Sequence, residues 1–172
     1  LEGTLRMALA LFTRFPEHVH LLRGNHEFWV EHNGSIVSTV MPSEAVTRMK
    51  GMAPDELFRA YQSLFDALPS MLLCGRTLMV HGGIPKDATI REKLGDLSGL
   101  NEWLIRFQMM WSDPSPADVV PRKLQQSTYR FAFGRLQCLS FLQRLGCHTL
   151  IRGPEHLEAG HHRDFDDEQL LT

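Results

Sequence analysis

The sequence predicts an α/β fold, and two observations carry that prediction. Short apolar runs end abruptly at glycine-bearing loops: Val19, Leu21 and Leu22 lead into Arg23-Gly24-Asn25-His26-Glu27, and Thr77-Leu78-Met79-Val80 leads into His81-Gly82-Gly83. Between and beyond these runs lie segments with helical apolar spacing, so strand and helix signals alternate along the chain. Glycine lets the backbone turn sharply at the carboxyl end of a strand, which is where open α/β sheets keep their chemistry. Two strand ends of this kind, each presenting a His, predict one shared site.

The elements follow in order. Leu1, Leu5, Ala8, Leu9 and Phe12 fall on one helical face, and the helix they predict ends before Pro16. The strand over Val19 to Leu22 comes next, completing an α-then-β unit. Residues 33 to 52 are mixed and moderately polar and predict no defined element. Pro54 opens a helix at its first turn, where its missing N–H would be unpaired in any case; Leu57, Phe58, Tyr61, Leu64, Phe65 and Leu68 form the apolar stripe, and Pro69 closes it. Met71 to Leu73 and Thr77 to Val80 flank Cys74-Gly75-Arg76 and read as a hairpin. Leu100 to Met110 predicts another amphipathic helix, and Asp113 to Pro121, with three prolines, a loop. Arg135 to Leu145 predicts a helix that buries Leu136, Leu139, Leu142 and Leu145 and is capped by Gly146. Thr149 to Arg152 reads as a strand, and Leu170-Leu171-Thr172 as the beginning of one. No repeat period or low-complexity tract appears, and the sequence predicts a single domain over residues 1–172.

Composition narrows the functional classes. With 43% hydrophobic and 22% charged residues, the chain can bury a core and carries neither a membrane span nor a signal peptide. A net charge of -2 supplies no general basic field, so the expected partners include neither nucleic acid nor membrane. Cys74, Cys138 and Cys147 are odd in number and lie outside any Cys-x-x-Cys pattern, which argues against a disulfide framework or a thiolate zinc site and predicts a reducing cytoplasm as the setting. Trp29, Trp103 and Trp111 read as core or groove-wall aromatics, and His161-His162 as an exposed polar loop.

Leu21-Leu22-Arg23-Gly24-Asn25-His26-Glu27, His81-Gly82-Gly83-Ile84, Trp111-Ser112-Asp113-Pro114 and Phe133-Gly134 resemble, in order and spacing, the motifs of the phosphoprotein phosphatase branch of the calcineurin-like metallophosphoesterases. The resemblance implies a four-layer α-β-β-α sandwich. It also exposes a difference: the family opens with two aspartate motifs, Gly-Asp-x-His-Gly and Gly-Asp-x-Val-Asp-Arg-Gly, and neither occurs in these 172 residues. The expectation is therefore a fragment, truncated at both ends, that begins near the helix following the second motif.

For a full-length parent, the resemblance implies metal-dependent hydrolysis of phosphate monoesters, most naturally on phosphoserine and phosphothreonine. Two divalent ions (Mn, Fe or Zn) would activate a water as hydroxide and clamp the phosphoryl oxygens. Asn25 and His81 match ligands of the second ion, with Asn25 also at the phosphate, and His26 matches the acid that protonates the leaving alkoxide. Arg130 is the candidate phosphate-gripping guanidinium; eukaryotic members carry theirs where this chain has Ser127, and the alternative is an Arg that is solvent-facing or paired with an Asp. One departure falls on a ligand: the family's Arg-x-His reads Arg152-Gly153-Pro154 here, with His156 two residues further on, and proline has no donor atom. Two other functions stay open, hydrolysis of dinucleoside polyphosphates and a metal-poor pseudophosphatase that binds phosphorylated partners. Glu27 disfavours the nucleases of the superfamily.

Overall fold

The computed structural model describes residues 2–41, 44–52, 54–153, 161–165 and 170–171. The chain divides into two compact units, Leu1–Pro69 and Ser70–Thr172.

In the first unit, helix α1 (Glu2–Arg14) forms as the apolar spacing predicts, with Leu5 packed on the core and Phe12 left 39% exposed. The strand expected over Val19 to Leu22 is absent. A strand requires a ladder partner; instead, the Val19 N–H closes a turn on Phe15 O (2.9 Å), and Arg23 N–H reaches Pro69 O (2.8 Å). Residues 33 to 38, for which the sequence predicts no defined element, hold a hairpin's turn and second strand. Strands β1 (Trp29–His32) and β2 (Ser35–Ser38) pair antiparallel around Asn33 (φ 50) and Gly34 (φ 72). Two central residues with positive φ make a type I′ turn, whose twist suits a hairpin, and Asn-Gly is the sequence that adopts it most readily. Helices α2 (Glu44–Met52) and α3 (Asp55–Ala67) follow. Phe58 and Phe65 of α3 are buried as predicted, whereas Leu57 is 44% exposed. The core centres on Trp29, which stacks on Phe58 at 5.1 Å and meets Phe65 edge-on at 4.9 Å. Each such contact adds about 0.5–1.5 kcal/mol beyond the area it buries.

The second unit begins with the expected hairpin, β3 (Met71–Cys74) and β4 (Thr77–Val80), turned at Gly75 with φ 58. The elements that follow are α4 (Asp87–Lys93), a 3₁₀ turn (Leu97–Asn101), α5 (Trp103–Met109), β5 (Ser112–Pro114), α6 (Arg122–Gln126), β6 (Phe131–Phe133), α7 (Arg135–Arg144), β7 (Thr149–Arg152) and β8 (Leu170–Leu171). The main sheet runs β3-β4-β7-β8, antiparallel at its first pair and parallel at the others. Parallel pairing of β4 with β7 requires a long crossover, supplied by the helices between them. At its centre Leu78 faces Leu150, both fully buried, in a core with Ile84, Ile105, Met109 and Phe133.

Two expectations need correction in this unit. Asp113 and Pro114 belong to a strand, not a loop, paired in parallel with β6; a two-stranded sheet leaves an edge on each strand, where proline's missing donor is tolerated. Helix α7 buries Cys138, Phe141 and Leu142, while Leu136 is 44% exposed, because the phenyl ring and the thiol draw the buried face round by part of a turn. Gly146, at φ 69, caps that helix as expected. The cysteines are free: Cys138 and Cys147 buried, Cys74 exposed. Among the described residues, no helix is long and apolar enough to cross a membrane.

Candidate active site

Asn25 and His26 lie in the first unit and are held by side chains rather than by a sheet. Asn25–Glu27 form one 3₁₀ turn, closed by Glu27 N–H to Gly24 O at 3.3 Å and by Gly24 N–H to Glu27 Oε2 at 3.1 Å. Gly24 itself sits at φ -97, ψ 178, so the sharp turn expected there does not depend on glycine's left-handed freedom. Arg23 is buried beneath the loop. It donates from Nε to Glu27 O (3.1 Å) and from Nη2 to Asp66 Oδ1 (2.8 Å), with its guanidinium 4.4 Å from the centre of the Phe28 ring. Trp29 Nε1 donates to His26 O at 2.9 Å, and Thr39 Oγ1 to Phe28 O at 3.1 Å. These bonds fix the backbone while His26 stays exposed and Asn25 half-buried. The arrangement suits a proton donor that must reach solvent and substrate.

His81 lies in the second unit, where β4 leaves the sheet, and is half-buried. The two glycines after it are packed too tightly for any side chain. Gly82 N–H and Gly83 N–H both donate to Met109 O, at 3.0 and 2.9 Å. A Cβ on Gly82 would stand 2.6 Å from Met109 O, and one on Gly83 would stand 2.3 Å from Phe133 Cε1. Gly153 N–H donates to His81 O at 3.2 Å, joining the ends of β4 and β7.

Arg130 precedes β6 and is 57% exposed along its side chain. Its Nε donates to Asp113 Oδ2 at 2.6 Å, and Arg152 Nη2 donates to Asp113 Oδ1 at 2.8 Å. Arg152 Nε donates to Gly82 O at 2.6 Å, so Arg130 is linked to the residue next to His81 through one carboxylate and one buried guanidinium. Just before Arg130, Lys86 Nζ donates to Thr128 O at 2.8 Å and lies over the Phe131 ring; burial lowers the pKa of this lysine. Sequence reasoning singled out Arg130 but assigned no role to Asp113 or Arg152. The signal for Asp113 was its place within Trp111-Ser112-Asp113-Pro114. Pro154 and His156 lie outside the described residues.

The chain matches the calcineurin-like phosphoesterase family over residues 2–158. It belongs to that family. Curated relatives of this chain include a probable serine/threonine-protein phosphatase of Encephalitozoon cuniculi, 27% identical over 161 residues, covering 90% of this chain and 33% of the relative. A serine/threonine-protein phosphatase of Caenorhabditis elegans is 27% identical over 173 residues, covering 96% of this chain and 36% of the relative. The chain thus spans about a third of the length of these relatives. Among solved structures, it is similar to a protein serine/threonine phosphatase from Saccharomyces cerevisiae with similarity to human phosphatase PP5. That likeness has a TM-score of 0.72 at 20% identity and covers 98% of this chain and 51% of the other; it shows the fold.

The family is typically dinuclear; an amide oxygen, as on Asn25 in the first unit, and an imidazole, as on His81 in the second, are donor types that divalent ions accept. Among the described residues, no group of three or more His, Cys, Asp and Glu side chains is arranged to hold an ion.

Proposed function

We propose that the parent protein carrying this phosphoesterase domain is a metal-dependent phosphomonoester hydrolase acting on phosphoserine and phosphothreonine in proteins, in the cytoplasm. In this reading the two units fold as one domain, and the missing donors come from aspartate motifs supplied by the parent. The reading is carried by the Arg23-to-Phe28 loop, whose backbone is braced on four sides while His26 is left exposed. A braced loop with an exposed imidazole is what general-acid catalysis of alkoxide departure requires, because the donor must meet the leaving oxygen without reorganising. Asn25 and His81 are assigned as metal ligands, Asn25 also to the phosphate, and Arg130 to the phosphoryl oxygens, where a guanidinium can form two parallel hydrogen bonds. When bound, two divalent ions supply Lewis acidity toward the phosphoryl group and the attacking water.

The test compares two proteins against p-nitrophenyl phosphate, a phosphoserine peptide and a dinucleoside polyphosphate, each with and without chelator. The expected outcome is chelator-sensitive hydrolysis of the monoester and the peptide by the parent, and negligible activity from the 172-residue chain, which contains neither aspartate motif. Preference for the dinucleotide would replace the protein-phosphatase reading. Pro154, standing where the family has a ligating His, favours a second reading as a metal-poor pseudophosphatase. In that case the parent would bind phosphopeptide without turnover, and Pro154→His would raise metal occupancy and activity.

A further inference from the structure

We propose that Asp113 is the positioning residue for Arg130, seating its guanidinium for the phosphate; this deepens, and rests on, the phosphatase reading above. The argument begins with Arg152, whose side chain is only 1% exposed. A buried guanidinium must be compensated, and Asp113 Oδ1 does so at 2.8 Å while Gly82 O accepts from Arg152 Nε at 2.6 Å. Asp113 is thereby fixed from below, by a group that is itself tied to the β4 end bearing His81. Its strand, β5, is fixed from the side by pairing with β6, where Asp113 stands opposite Ala132.

The second oxygen, Oδ2, accepts from Arg130 Nε at 2.6 Å. An exposed Arg–carboxylate pair adds about 0–1 kcal/mol to stability, so folding alone gives little reason for this bond. Its larger effect is on order: an arginine with this much exposure has many rotamers, and a carboxylate held rigid by a buried cation selects one of them. Contact at Nε fixes the plane of the guanidinium, which is the property a bidentate phosphate contact needs. The three side chains thus form a relay of position, from the Gly82 carbonyl through Arg152 and Asp113 to Arg130.

A double-mutant cycle in the full-length parent tests this, reading kcat, KM and competitive inhibition by inorganic phosphate. Asp113→Asn keeps the volume and one carbonyl oxygen for Arg152, but takes the acceptor away from Arg130. The expected result is a rise of about tenfold in both KM and the phosphate inhibition constant, with a smaller change in kcat, and less than about a twofold change when Arg130 is already alanine. Equal effects in the Arg130 and Arg130→Ala backgrounds would overturn the proposal, since a merely structural Asp113 would act the same in both. Should Asp113→Asn fail to fold, Asp113→Glu enters the same cycle under the same criterion. An inactive wild-type parent would sink the phosphatase reading itself; an active parent with an additive cycle would sink only the role of Asp113.

Discussion

The two histidine loops solve one problem, presenting an imidazole from a fixed backbone, by opposite means. His81 leaves a strand flanked on both sides in the main sheet, and the glycines behind it are fixed by close packing, with Met109 O accepting from both of their N–H groups. His26 follows a run that has no ladder, and its loop is fixed by Arg23, Glu27, Trp29 and Thr39. A loop held by packing fails all at once when it is overfilled. A loop held by several side-chain bonds loosens bond by bond.

That contrast predicts a ranking of effects. The largest belongs to Gly82→Ala and Gly83→Ala, whose added Cβ atoms would lie 2.6 Å from the Met109 carbonyl oxygen and 2.3 Å from the fully buried Phe133 ring. Each should cost about 3 kcal/mol, seen in thermal denaturation as a fall of roughly 6–12 °C. A fall of only a degree or two would mean that packing does not fix this loop.

Next comes Arg23→Ala, which removes the hydrogen bonds to Glu27 O and Asp66 Oδ1 and the cation over Phe28. Its expected cost is about 2 kcal/mol, and hydrogen exchange should quicken at the amides of residues 24–28 while those of Gly82 and Gly83 keep their protection. Global loss of protection would show the two loops to be one cooperative unit. The smallest effect is that of Trp29→Phe, which keeps a ring against Phe58 and Phe65 but loses the bond to His26 O. About 1–2 kcal/mol is expected, read by chemical denaturation. A cost equal to that of Gly82→Ala would erase the distinction between the loops.

The sequence made the packed loop far more legible than the braced one. Helix α3 and strands β4 and β7 follow from apolar periodicity because each buries part of its apolar set in a core, and burial is what periodicity reports. The run before Gly24 looked like a strand for the same reason; periodicity registers apolar side chains and is blind to whether a ladder partner exists. The β1–β2 hairpin went unread although Asn33-Gly34 announces it, since only Trp29 and Ser38 are buried along its two strands and alternation is correspondingly weak. Within the candidate site, Asn25, His26 and His81 were legible as motif residues. Asp113 and Arg152 were not assigned roles, because a carboxylate shared by two arginines depends on residues 17 and 39 positions away from it, a pairing no local pattern encodes.

Separation of the two histidine roles is the central claim, and a paired measurement tests it most directly: turnover and bound metal by elemental analysis for His26→Asn and His81→Ala in the full-length parent. His26→Asn should lower kcat by about 10² to 10⁴ with metal content nearly intact, since that is the range general-acid catalysis contributes. His81→Ala should lose metal together with activity. Equal loss of metal from both variants, or full metal in both, would contradict the assignment of general-acid chemistry to His26 and metal binding to His81.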